Sequence, residues 1–107
     1  MNAENTWNNI ITRLKEVPAD VSTVPSNNKV PLWFYAYVEN EALYVQNSIT
    51  HSPSTNMSER RKVSKVDFET VHAYYHRWAN GERYLRQEVR KLSRNTAYIF
   101  ALIAQFE

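Results

Sequence analysis

Two runs decide the fold class: Pro31-Leu32-Trp33-Phe34-Tyr35-Ala36-Tyr37-Val38 and Ala42-Leu43-Tyr44-Val45-Gln46-Asn47-Ser48-Ile49, separated by Glu39-Asn40-Glu41. Both are built from aromatic, β-branched and aliphatic residues, which suit a pleated, half-buried surface, and the short polar break between them predicts a β-hairpin. Successive side chains point to opposite faces of a strand, so Leu32, Phe34, Ala36 and Val38 share one face while Trp33, Tyr35 and Tyr37 share the other. In the second strand Leu43, Val45 and Ile49 mark the core face, leaving Tyr44, Gln46 and Ser48 opposite. The hairpin therefore has an aliphatic face and a mixed face rich in aromatic rings.

Upstream, Trp7, Ile10, Ile11, Leu14 and Val17 recur at the spacing of one helical face. Pro18 ends that helix by removing a backbone donor and clashing with the preceding turn. Residues 20–29, with Pro25 among them, read as a polar connector. Downstream of the hairpin, Thr50 to Ser58 is a loop of Ser, Thr, Asn and Pro, and Arg60 to Val63 forms a candidate third strand whose basic residues suit a sheet edge. Ser64 followed by Asp67 resembles a capping box. The helix it opens buries Phe68, Val71, Tyr75 and Trp78, and Asn80-Gly81 supplies its left-handed stop. Leu85, Val89 and Leu92 describe a third helix. A fourth, capped at Ser93, Asn95 or Thr96 and ending at Phe106, is apolar on most sides and belongs at the centre of the core.

The expected fold is thus a single α+β domain over residues 1–107, in which a small antiparallel sheet, a hairpin plus a candidate third strand, packs with about four helices. A chain of 107 residues buries enough surface to support one core without a disulfide or structural metal. It contains no cysteine, which excludes thiolate nucleophiles, disulfides and cysteine-based metal sites and accords with a reducing compartment. The first ten residues lack the layout of a secretory signal, and the longest apolar run, Tyr98 to Ala104, is far shorter than the roughly 20 residues a bilayer span requires. A cytoplasmic protein with no membrane association is the expectation.

Net charge is only +2, but residues 58–94 carry ten lysines and arginines against five acids. That asymmetry permits an anionic partner. Arg60, Arg61, Lys62, Arg83, Arg86, Arg90, Lys91 and Arg94 are the candidate phosphate contacts. Residues 85–106 also have the outline of a helix-turn-helix, which would make the chain a nucleic-acid-binding protein. Against that outline, the last helix offers apolar side chains beyond Asn95 and Thr96, where a groove-reading helix needs polar ones. Burial explains such a helix better.

Trp33, Tyr35, Tyr37 and Tyr44 form the candidate interface or ligand face. Aromatic patches are enriched at protein interfaces, which favours a homodimer over bases stacked on the rings. An aromatic pocket for a small molecule is a third alternative. His72 and His76 stand four apart on a helix, a spacing that lets two imidazoles reach one metal ion, but no third donor is evident nearby in the sequence. With Gly81 the only glycine, a phosphate-cradling glycine loop is excluded. No catalytic, cofactor-binding or metal-binding residue is assigned on these grounds.

Arg61-Lys62-Val63-Ser64-Lys65-Val66-Asp67-Phe68-Glu69, continuing through Val71, Tyr74-Tyr75 and Trp78 to Gly81, and Arg94-Asn95-Thr96-Ala97-Tyr98-Ile99 together resemble small integron cassette proteins. That resemblance covers at most the part from the hairpin onward. It implies a compact, oligomeric α+β accessory protein from a mobile gene cassette, and transfers no catalytic or ligand residue. The combined expectation is a non-enzymatic binding or interaction protein that self-associates, with nucleic acid as the alternative partner.

Overall fold

The computed structural model describes residues 2–25 and 30–107. It shows an α+β fold in the order α1 (Ala3–Glu16), β1 (Ala19–Ser22), β2 (Trp33–Glu39), β3 (Ala42–Asn47), β4 (Arg61–Val63), α2 (Lys65–Ala79), α3 (Leu85–Arg90) and α4 (Thr96–Phe106). The four strands form one antiparallel sheet in the order β1-β2-β3-β4, so each strand pairs with its neighbour in sequence. Arg61–Val63 is the third strand expected along the hairpin edge.

The fourth strand is a correction. Three of the four residues of β1, Asp20 to Ser22, fall in the part that reads as a polar connector, yet the strand pairs along β2 with Ala19 opposite Ala36 and Val21 opposite Phe34. Only Val21 of its four residues is buried, too little apolar periodicity to mark a strand. Part of that connector, 26–29, lies outside the described residues.

Phe34, Ala36, Leu43, Val45, Val63 and Val21 form a fully buried layer on the inner face of the sheet. Against it pack Ile10 and Leu14 from α1, Phe68, Val71 and Trp78 from α2, and Ile99, Phe100, Ala101, Leu102 and Ile103 from α4. Phe100 meets Trp78 at 4.7 Å and Tyr75 edge-on at 5.4 Å between ring centroids. The expectation that the last helix is largely surrounded by protein is met, with Ala104 and Gln105 exposed near its end.

Three apolar assignments fail for a common reason: the periodic pattern runs past the end of its element. Val17 is the extended cap of α1 and is 68% exposed, Ile49 follows the last residue of β3 and is 92% exposed, and Leu92 follows the short α3 and is 57% exposed. Leu32, just ahead of β2, is likewise exposed rather than part of the core face. The caps read as expected at α2, where the Ser64 hydroxyl accepts the Asp67 N–H at 3.1 Å. Gly81 then adopts φ of +122° after the helix, a conformation a side chain would strain.

The hairpin closes through Asn40 and Glu41, both at positive φ, 52° and 65°. A two-residue turn of this hand matches the twist of the flanking strands, and its second position is the usual place for glycine. Glutamate there carries the left-handed cost of about 1 kcal/mol, offset only in part by an exposed Lys15–Glu41 ion pair. Glu41→Gly is expected to raise unfolding stability by about 0.5–1 kcal/mol, read as a higher urea midpoint with an unchanged slope; a lower midpoint would show that the Lys15 pair outweighs backbone strain.

Candidate arginine cleft

The α3 helix is only six residues long, yet it sets the geometry of the basic half of the chain. Arg86 and Arg90 are one turn apart on it, and Arg94 follows four residues later in the turn leading to α4. Arg61 reaches the same place from β4, where it stands opposite Val45 on the inner face of the sheet. The four guanidinium-bearing side chains line one cavity of about 460 Å³ together with Ser93, Thr96, Ala97 and Tyr98 from the start of α4.

Tertiary contacts hold part of this set in place. Arg61 donates to the Arg94 carbonyl at 3.4 Å and lies over the Tyr98 ring, 5.6 Å from its centroid. Arg86 donates to the Val24 carbonyl and stands over the rings of Trp78 and Phe100 at 5.5 and 5.8 Å. Burial, reinforced by the charges of Arg90 and Arg83, holds the Arg86 guanidinium below the usual arginine range. It nonetheless remains protonated at neutral pH, as arginine does in proteins. None of the four makes an ion pair among the described residues.

The other wall is the N-terminus of α4. A helix leaves its leading N–H groups without an intrahelical acceptor, and the capping residue Asn95 supplies no side-chain bond to them. Asn95 points elsewhere, donating through Nδ2 to Asp67 at 3.1 Å. Its own N–H is accepted by the Ser93 hydroxyl at 3.0 Å, and the Thr96 hydroxyl donates to the Ser93 carbonyl at 2.7 Å. The cleft thus joins four arginines to the positive end of a helix dipole, a composition suited to an anion.

The remaining candidate phosphate contacts are dispersed. Arg60 lies on the outer face of the sheet, where it bonds Glu39 and the Tyr37 hydroxyl and stands 4.0 Å over Tyr44. Lys62 pairs opposite Tyr44 on that same face. Arg83 stacks over Trp78 at 4.5 Å, and Lys91 faces Glu88 at 3.8 Å. In the helix-turn-helix outline, α4 buries Ile99 to Ile103 in the core, which accords with the burial reading of this helix.

The aromatic candidates do share the outer face. Tyr37 stacks on Tyr44 and tilts against Tyr35, with 5.7 Å between centroids in each pair. Trp33 is covered, its ring stacked on His51 at 4.0 Å with only 15° between planes. Asp20 of β1, missed by the sequence reading, anchors that cover through a 2.8 Å contact to His51 Nδ1. Burial pushes the Asp20 carboxyl up, but hydrogen bonds from Thr50, His51 and Ser48 outweigh it and hold the group below the usual aspartate range. Asp20, Tyr35, Gln46, Ile49 and Thr50 line a shallow hollow of about 300 Å³ on this face.

Comparison with protein-family models, with curated proteins and with solved structures returns no match to this chain. The cleft has to be read from its own chemistry.

Because the cleft arginines repel one another without a protein carboxylate between them, stability should depend on salt in an unusual direction. Added NaCl is expected to stabilise the wild type by screening that repulsion. Arg90→Gln should be as stable as wild type or more so by up to about 0.5 kcal/mol at low salt, with the difference vanishing at high salt. Chemical denaturation at the two ionic strengths checks both parts; a marked loss of stability in Arg90→Gln would mean that Arg90 has a structural partner.

Proposed function

We propose that this chain is a non-enzymatic binding protein whose principal ligand is a small phosphate-bearing anion held in the arginine cleft. The observation that carries this reading is the convergence of Arg61, Arg86, Arg90 and Arg94 on one cavity with no ion pair to any of them among the described residues. Keeping like charges together is unfavourable unless an anion completes the site. Guanidinium is the group best matched to phosphate, since its planar fork donates two parallel hydrogen bonds. The cavity volume falls in the range of small-ligand sites, and convergence on one point suits a terminal phosphate or diphosphate better than the line of charges that tracks a polynucleotide. The resemblance of the chain to integron cassette products adds the reading of an accessory role.

Isothermal titration with inorganic pyrophosphate, a nucleoside diphosphate and a short single-stranded oligonucleotide tests this. One equivalent of the diphosphates should bind, and Arg90→Ala and Arg94→Ala should each weaken binding by about 10- to 100-fold. Lys62→Ala, on the other face, should change it less than about twofold. Affinity that climbs with oligonucleotide length and falls steeply with salt would transfer the assignment to nucleic acid; no binding of any of the three at low salt would end it.

A second reading is supported by a separate observation, that α1, α2 and α4 all pack on the inner face and leave the Tyr35, Tyr37 and Tyr44 ladder without a helical cover. A second copy of the chain is the occupant proposed for it. Asp20 and Glu39 lie on that face with Arg60 and Lys62, so a two-fold axis would set acids against bases. Light scattering on a sizing column should give a dimer at micromolar concentration, converted to monomer in Tyr37→Ser/Tyr44→Ser. A monodisperse wild-type monomer would exclude this interface.

A further inference from the structure

The two histidines that lack a third donor in the sequence acquire one in the fold. His72 and His76 are one turn apart on α2, and both present Nε2 to the carboxylate of Glu107, which follows the last residue of α4. His72 Nε2 lies 2.9 Å from Oε2, and His76 Nε2 contacts Oε1. The three donor atoms all fall within 4.8 Å of one another. We propose that His72, His76 and Glu107 form a binding site for a single divalent transition metal of the zinc class.

Each part of the constellation fits that chemistry. Zinc takes imidazole nitrogen and carboxylate oxygen at about 2.0–2.2 Å, and a set of three such ligands leaves one tetrahedral position for water. Donors around such an ion stand about 3.4 Å apart, so an ion would replace the imidazole–carboxylate hydrogen bonds, lengthening the 2.9 Å span from His72 to Glu107 while every donor already lies within 4.8 Å of the others. Two imidazoles at i and i+4 are held by one rigid helix, which removes most of the entropy cost of bringing them together.

The surroundings supply the outer support that metal ligands need. The Thr6 hydroxyl donates to Glu107 Oε2 at 2.7 Å, steadying the carboxylate from α1. His72 is buried, with its ring 5.7 Å from that of Phe68, whereas the side chain of His76 is half exposed. The open coordination position therefore faces solvent on the His76 side. Carboxylate, hard and anionic, combined with two neutral imidazoles favours zinc, cobalt or nickel over calcium or magnesium, which take oxygen donors throughout.

The consequence for the protein is a clamp. An ion bound here ties α2 to the end of α4 and, through Thr6, to α1. A ligand that binds only the folded state stabilises it by mass action, so the metal should raise the melting temperature. The site lies on α2 and the end of α4, away from the residues that line the arginine cleft, and does not depend on the phosphate reading.

The test is titration of chelator-treated protein with zinc chloride by calorimetry, with cobalt(II) as a spectroscopic probe. Wild type should bind one equivalent, develop the visible absorption of low-symmetry four-coordinate cobalt and melt at higher temperature with zinc. His76→Ala and Glu107→Gln, whose effect on folding is read by circular dichroism, should each weaken zinc binding at least tenfold and abolish the thermal shift. His51→Ala, the only other histidine position, should leave all three readouts unchanged. Absence of stoichiometric binding, or binding undiminished by loss of His76 or Glu107, would overturn the proposal and leave the three groups as a hydrogen-bonded network.

Discussion

Helix α4 has nowhere to go but inside. Five consecutive residues, Ile99, Phe100, Ala101, Leu102 and Ile103, are buried around its circumference, and a helix apolar on all sides must be walled by protein. The sheet meets it where Phe34 packs edge-on against Tyr98, α2 meets it where Trp78 lies against Phe100, and α1 is joined to its end by the bonds of Asn9 to Phe106 and Thr6 to Glu107. Removing apolar area from water contributes about 25 cal/mol per Å², so the burial of these five side chains favours the folded state. Its position dictates the rest. The N-terminus of α4 emerges beneath β4 and beside α3, which brings its amides to the four arginines, and its C-terminus emerges over α2, which brings Glu107 to the two histidines.

The sheet divides the surface chemistry in a complementary way. Alternation along β4 sends Arg61 inward to the cleft while Arg60 and Lys62 join the tyrosines outside. Three consecutive basic residues thus serve two faces. On the outer face Arg60 is paired with Glu39 and Asp20 with His51. Among the described residues none of the four cleft arginines has an ion pair. That contrast, rather than the modest net charge, distinguishes an anion site from a solvated surface.

Much of the fold was legible because its signals are local. The hairpin is announced by composition, α2 by Ser64 and Gly81, and α4 by its uninterrupted apolar character. What was illegible depends on contacts distant in sequence. Strand β1 carries one buried side chain and exists because β2 offers it a partner. Ile49 was drawn to the core by extrapolated alternation, but Asn47 ends the strand by bonding both the N–H and the carbonyl of Met57 with its amide side chain. Of the eight basic candidates only tertiary structure brings Arg61, Arg86, Arg90 and Arg94 to one cavity and places Arg60, Lys62, Arg83 and Lys91 elsewhere. The third donor beside His72 and His76 was invisible for the same reason, lying at the far end of a different helix.

The meander topology also fixes how the chain must solve its entropy problem. Pairing each strand only with its neighbour in sequence means that the sheet can zip from the Asn40–Glu41 turn outward, closing short loops before longer ones, and the cost of each closure grows only slowly with loop length. The contacts of α1 with α4, by contrast, join Asn9 to Phe106 and Thr6 to Glu107, close to the greatest sequence separation the chain allows. Non-local contacts of that kind are rewarded last. The sheet can therefore form through short closures between sequence neighbours, whereas the packing of the first helix on the last has to bring the two ends of the described chain together.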